Sequence, residues 1–468
     1  MTTPASIHIP APKGSADRPV PGLTATGHAR AILTLGLPLV GSHLAQFGLH
    51  VTDTIMLGWY GVLPLAAGVL GASSFFVIFI LGSGFAKAVM PMVASAQGRG
   101  DETQVRRVAR MGLWLSILFG LLCYPVFWYS NAILLALGQK PEVAALAQDY
   151  LRVVGLGMMP ALLVMVLKSY LAALERTQVV LWVTVVAVPL NAALNWALIF
   201  GNWGAPELGM TGSAIATLVV QVASLLILCL YAALLPKLRH YQLFIRFWRP
   251  DWQAFADVFR LGWPIGLTGL AESGLFQASA LMMGWIGTVE LAAHGIALEI
   301  TALTFMVHVG LSNAVTVRTG RLSGAGDVAG LRLGAKMGIV MSVLFAAVTM
   351  VVFLSVPEPM IAVFIDPAEP QRAVIIATGT ALLVCAALFQ FADSMQVMAL
   401  GLLAGVQDTR VPMGLAAVSY WLIGFPASYL LAFSFGYGAV GLWLGLVVGL
   451  AAAAISLMWR FWTRLPRE

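Results

Sequence analysis

The chain has 468 residues, of which 60% are hydrophobic and only 10% charged, where a soluble globular domain carries roughly 25% charged residues. That composition excludes an ordinary soluble enzyme, and the 47 glycines and 23 prolines follow no collagen or coiled-coil period. The net charge of +6 matters less here than where the charges fall.

The first 30 residues are polar and proline-rich and read as a disordered cytoplasmic tail without a secretory signal. Apolar segments then follow at 31–57, 66–92, 108–130, 150–171, 179–200, 211–235, 258–283, 292–316, 334–356, 372–403, 411–433 and 439–460. Each is long enough to cross a bilayer, which needs about 20 residues. The pattern predicts an all-α polytopic membrane protein with twelve transmembrane helices. Cys123, Cys229 and Cys385 lie far apart in apolar runs and are expected to be structural thiols, not a disulfide or metal framework.

Lys and Arg orient the chain. With the N-terminus in the cytoplasm, 21 of the 26 basic residues fall on cytoplasmic segments and three, Lys140, Arg152 and Arg372, on the other side. Both termini are therefore expected inside the cell. Lys87 and Lys168 fall within segments and are expected to snorkel to the cytoplasmic headgroups.

The two halves repeat. A shift of 226 residues lays Gly58-Trp59-Tyr60-Gly61 and the following Leu65-Ala66-Ala67 on Gly284-Trp285-Ile286-Gly287 and Leu291-Ala292-Ala293. The same shift pairs Pro38 with Pro264, GRGD at 98–101 with GAGD at 324–327, and Met111-Gly112 with Met337-Gly338. Six segments per half make this a parallel repeat about the membrane normal. The expected division is a tail at 1–30, a first six-helix bundle at 31–235, a basic interfacial linker at 236–257 containing Trp248 and Trp252, a second bundle at 258–462 and a cytoplasmic tail at 463–468. Two similar bundles suit alternating access.

Ionised side chains at bilayer depth are costly and mark functional sites. Four acids fall inside segments: Asp53, Glu272, Glu299 and Asp393. At helical spacing His43, Gln46, His50 and Asp53 share one face of the first segment. That stripe reads either as an interhelical hydrogen-bond seam or as a cation or proton site. Pro38 removes a backbone hydrogen bond from the same segment and is positioned to bend it. Asn191 and Asn195, one turn apart, offer hard oxygens of the kind Na⁺ would take, or plain amide packing; Thr217 is a weaker candidate of the same type. In the second half Glu272 lies one turn after Thr268, and Asp393 is flanked by Gln390 and Gln396. Two acids on two helices of one bundle can hold one cation or share a proton. Glu299 reads as a supporting acid near Thr301 and Thr304 or as a rim residue, and His294 as a hydrogen-bonded structural histidine. No nucleotide-binding signature is present, so no ATP and no nucleic-acid partner is expected, and no catalytic cluster supports an enzyme.

At these residues the chain resembles the multidrug and toxic compound extrusion (MATE) family, most closely its NorM-like bacterial branch. The resemblance covers about 31–462 and is carried by VTDTIMLG around Asp53, PLNAALNWALIFGNWGAPELG from Pro189 to Gly209, AESGLF around Glu272, AAHGIAL at 292–298 and QFADSMQVMALGLLAGVQDTR from Gln390 to Arg410. It implies two lobes around a V-shaped cleft and an inner-membrane antiporter, a monomer among lipids, that exports organic, often cationic compounds against inward Na⁺ or H⁺. It assigns the first-lobe carboxylate to Asp53, its partner positions to Asn191 and Asn195, the second-lobe acids to Glu272 and Asp393, and the bend to Pro38. Na⁺ is then expected either at Asp53, Asn191 and Asn195 or at Glu272 and Asp393. Two positions depart from the family pattern: Phe389 stands where a tyrosine is common, and Gly295 where the family's AAHQ run has glutamine. A lipid or lipid-linked oligosaccharide flippase of related architecture is the alternative, followed by a membrane enzyme and by a channel.

Overall fold

The computed structural model describes residues 23–466, and among them there is no β-strand. The helices are α1 (Ala25–Tyr60), α2 (Val62–Gly98), α3 (Glu102–Trp128), a short α4 (Ser130–Ala136), α5 (Pro141–Leu156), α6 (Met158–Ala173), α7 (Thr177–Phe200), α8 (Gly209–Leu234), a single turn α9 (Pro236–Arg239), α10 (Trp252–Ile286), α11 (Thr288–Ala325), α12 (Val328–Ser355), a short α13 (Pro357–Ala362), α14 (Arg372–Gly405), α15 (Arg410–Ala417), α16 (Phe425–Tyr429) and α17 (Gly438–Arg464).

Ten of the described helical spans are long and apolar enough to cross a membrane, and α5 with α6, bent by 43° at Gly157, makes an eleventh. The twelfth expected crossing lies in α10, which has the length at 35 residues. Its apolar character is diluted by Thr268, Glu272, Ser273, Gln277 and Ser279. Sequence boundaries shift at several ends. The expected tail at 1–30 lies outside the described residues up to 22, and its last six residues are already the first turns of α1. The linker likewise ends at Asp251, whose Oδ1 accepts from the backbone N of Ala254 and caps α10.

The eleventh expected segment is not one regular helix. π-helical stretches at Val418–Gly424 and Leu430–Ser434 interrupt α15 and α16. Pro412 and Pro426 each lack the amide N–H that an α-helix would use, and Gly424 and Gly449 approach backbone to backbone. Such distortions often accompany functional sites.

The described chain divides into two compact units. One holds the residues up to Val40 together with those from Leu267 onward; the other is Gly41–Gly266. Both divisions fall inside helices, just past Pro38 in α1 and Pro264 in α10. The first part of each long helix therefore packs in the unit that the rest of its own half does not form, and the linker 236–257 packs within Gly41–Gly266.

Small residues make this exchange possible. A Cβ on Gly84 of α2 would stand 2.3 Å from the carbonyl O of Gly262 and 2.4 Å from the backbone N of Gly266, both on α10. The 226-residue repeat carries Gly84 to Gly310, where a Cβ would stand 2.6 Å from the backbone N of Val40 on α1. Close backbone approach through small residues is the usual device of membrane helix packing.

The linker is gripped by α3. Arg107 makes a two-pronged ion pair with Asp251 through Nε and Nη2. Arg110 Nε donates to the carbonyl of Leu243 at 3.3 Å, and Trp114 Nε1 donates to that of Phe247 at 2.8 Å. Trp248 and Trp252 are exposed.

Candidate functional site

In the unit Gly41–Gly266, the polar stripe of α1 meets α7 and α8. Asn195 Nδ2 donates to Asp53 Oδ1 at 2.6 Å and to Asn191 Oδ1 at 3.2 Å. Thr217 Oγ1 of α8 donates to Asp53 Oδ2 at 3.4 Å. Asn191 and Asn195 are buried and Asp53 half-buried. The turn spacing of Asn191 and Asn195 puts both amides on one face of α7, so a single helix brings two amides to one carboxylate. Asn195 Oδ1 is buried and has no hydrogen-bond partner. A carboxylate, two amide oxygens and a hydroxyl form a hard-oxygen set that suits Na⁺. His50 is exposed and within electrostatic reach of Asp53, and Tyr150 of α5 is buried within similar reach.

Gln46 does not join this group. Its Oε1 accepts at 3.5 Å from Nζ of Lys168, which also donates to Thr184 Oγ1 at 2.8 Å. The expectation that Lys168 snorkels is therefore corrected: its ammonium is turned onto α1 and α7 inside the unit. Lys87 is exposed along α2.

The other unit holds the second-half acids. Asp393 on α14 is 3% exposed, and Gln390 and Gln396, one turn to either side, are fully buried. Glu272 of α10 lies close enough for the two carboxylates to repel. Asp393 Oδ1, both amide atoms of Gln390 and Oε1 of Gln396 are buried without hydrogen-bond partners. So many unsatisfied polar atoms in one place point to a bound group or water. Gln396 Nε2 donates to the Tyr420 hydroxyl at 2.6 Å, and Tyr420 lies within electrostatic reach of both acids. Trp421 Nε1 donates to the Ala271 carbonyl beside Glu272 at 3.1 Å. Phe389 cannot reach the acids with a hydroxyl; its ring packs edge-on against Phe276 and Trp443.

Other expectations resolve differently. Ser279 and Ser394, on the helices that carry the acids, donate their hydroxyls to the Phe276 and Phe391 carbonyls. Glu299 is exposed, and Thr301 and Thr304 donate to the backbone carbonyls of Ala297 and Thr301 and not to it. His294 is buried and accepts at Nδ1 from Trp443 Nε1 at 3.0 Å, as a structural histidine does. Cys385 is buried, whereas Cys123 and Cys229 are half-buried; all three are free. Tyr150 and Tyr420 went unremarked in the sequence, where nothing in their spacing marks them. Lys168 is legible there as a charge within a segment, but its inward turn is not.

Two helical units, one holding Asp53 and the other Glu272 and Asp393, each beside buried amides within long apolar helices, define a polytopic membrane protein of the transporter class. The MatE family model matches residues 38–197 and 264–430, and the chain belongs to this family. The probable multidrug resistance protein NorM of Rhizobium meliloti is 48% identical over 440 residues, 94% of each chain. The protein of the same name from Pseudomonas putida is 38% identical over 442 residues, 94% of this chain and 96% of the other. Among solved structures, a MATE protein in complex with MaL6 superposes with a TM-score of 0.85 at 21% identity, covering 96% of this chain and 99% of that one. The eukaryotic MATE transporter AtDTX14 does so with a TM-score of 0.82 at 19% identity, covering 93% and 96%.

Proposed function

We propose that the protein exports bulky organic compounds, often cationic, in exchange for Na⁺ or H⁺ moving inward, by alternating access across the inner membrane. The observation that carries this reading is Asp53, an acid at bilayer depth cradled by Asn195 and Thr217 with one amide oxygen left unpartnered. Relatives named as multidrug resistance proteins over nearly the whole chain support the substrate class.

In the mechanism, the ion or proton neutralises Asp53, or is shared between Glu272 and Asp393. The helices then repack, and affinity for the exported compound drops. Such coupling is a difference in binding free energy between states, typically about 1–3 kcal/mol. A cationic compound and the coupling ion compete for the same carboxylates. The protein acts as a monomer with both termini in the cytoplasm, which the distribution of Lys and Arg supports, and it draws on an ion gradient instead of ATP.

Dye efflux from everted vesicles, with a Na⁺ gradient and a pH gradient imposed separately, tests the proposal. Efflux driven by one of them is expected. Dye movement indifferent to both, or a steady uncoupled current, would sink it.

A further inference from the structure

The function proposed above uses only acids, yet Gly41–Gly266 also contains a cation that it leaves unexplained. Lys168 stands five residues before the end of α6, about 7 Å along the axis, close enough for its side chain to seek the headgroups. It turns inward instead, to Thr184 Oγ1 and Gln46 Oε1. Thr184 gives its own proton to the Val180 carbonyl and lies 3.0 Å from Ser42 Oγ. The ammonium is thus held by two neutral oxygens, and no acid among the described residues pairs with it. His43, on the same face of α1 as Gln46, feels both Lys168 and Lys87, so the surroundings are basic. Lys168 is half-buried; a partly desolvated charge without a counter-ion is costly, and an arriving anion would relieve that cost. Gln46 is exposed, which leaves that side open.

Seven residues separate Gln46 from Asp53 on α1. That is two turns, so both lie on one face, about 10 Å apart along the axis. The face then carries a basic group at one end and an acidic group at the other.

We propose that Lys168, with the Gln46 amide beside it, forms a subsite for a carboxylate on the exported compound, which selects amphoteric compounds whose amine and carboxylate lie about 10 Å apart. The amine goes to Asp53 and the carboxylate to Lys168. This inference rests on the efflux function proposed above.

The test uses the full chain in proteoliposomes and two fluorescent compounds, an amine carrying a carboxylate at that spacing and its uncharged carboxamide analogue. The readout is the ratio of their kcat/KM values. Loss of a charge-assisted contact should cut the ratio by about tenfold or more in K168Q, whereas K168R should keep it near the wild-type value. Q46E, which supplies Lys168 with an internal carboxylate, should also lower it, and decides the matter if K168Q does not fold. A ratio unchanged in these variants overturns the anion subsite while efflux stands. A wild-type protein that exports neither compound overturns the efflux proposal, and this inference with it.

Discussion

Asn195 holds Asp53 with its amide N–H at 2.6 Å while its own carbonyl oxygen stays buried and unpartnered. The amide therefore orients the carboxylate and keeps an acceptor in reserve for a cation. Removing it in N195A leaves Asp53 in place without its closest donor. Hydrogen bonds to charged groups are worth about 1.5–3 kcal/mol, so the apparent affinity for the coupling ion should fall roughly 10- to 100-fold. D53N should abolish coupled efflux. Both are read by dye efflux in everted vesicles against ion concentration. Full ion dependence retained in D53N would remove this site from the mechanism.

Tyr420 is the acceptor for Gln396, whose amide oxygen already lacks a partner. In Y420F both ends of that buried amide are unsatisfied. An orphaned buried group costs about 1–3 kcal/mol, so Y420F should lower the melting temperature of the detergent-purified protein by several degrees. Because Tyr420 also lies near Glu272 and Asp393, ion-dependent efflux should weaken as well. A melting curve and an efflux curve that both match wild type would show that the hydroxyl does neither job.

Which parts of this were readable in the sequence follows from what each depends on. The Asp53 group was readable because it rests on helical period: the stripe on α1 and the turn spacing of Asn191 and Asn195 survive any detail of packing. Gln46 was misplaced because the same stripe meets two different neighbours, Lys168 at one end and Asn195 at the other, and period alone does not say which. Tyr420 was invisible because its direction depends on the π-helical stretch around it. The lobes were expected to divide at the linker, where composition changes. The contacts instead divide the chain at Val40 and Gly266, because Gly84 and Gly310 let the first part of each long helix pack tightly against α2 or α11. The repeat offset that equates those two glycines was present in the sequence, but their partners are set by tertiary approach.

That approach is testable at Gly84. In G84A the new methyl would stand 2.3 Å from the Gly262 carbonyl oxygen and 2.4 Å from the Gly266 nitrogen, and neither is a side chain that can swing away. The backbones of α2 and α10 must separate. Overpacking of this kind costs about 1–3 kcal/mol. G310A, which meets the backbone of Val40, should show a similar loss, whereas G414A, with nothing near its added Cβ, should not. Thermal unfolding of the three variants makes the comparison, and equal melting temperatures would mean the close contacts carry no weight.

The ion pair between Arg107 and Asp251 ties α3 to the start of α10, and its contribution depends on pH. The Arg107 guanidinium holds the Asp251 carboxyl below its ordinary value of 3.8. The unfolded chain therefore takes up the proton at a higher pH than the folded one. The stabilisation is fully present above the unfolded value and is lost as pH falls through the lower folded-state value. Both side chains are partly exposed, at 35% and 28%, so screening limits the gain to about 1 kcal/mol or less. D251N isolates the charge, since its amide oxygen can still cap Ala254. The melting temperature of wild type should exceed that of D251N by a constant margin from pH 7 to about pH 5, and the margin should close below about pH 4. A margin that persists unchanged at the acid end would show that the ion pair does not carry the difference.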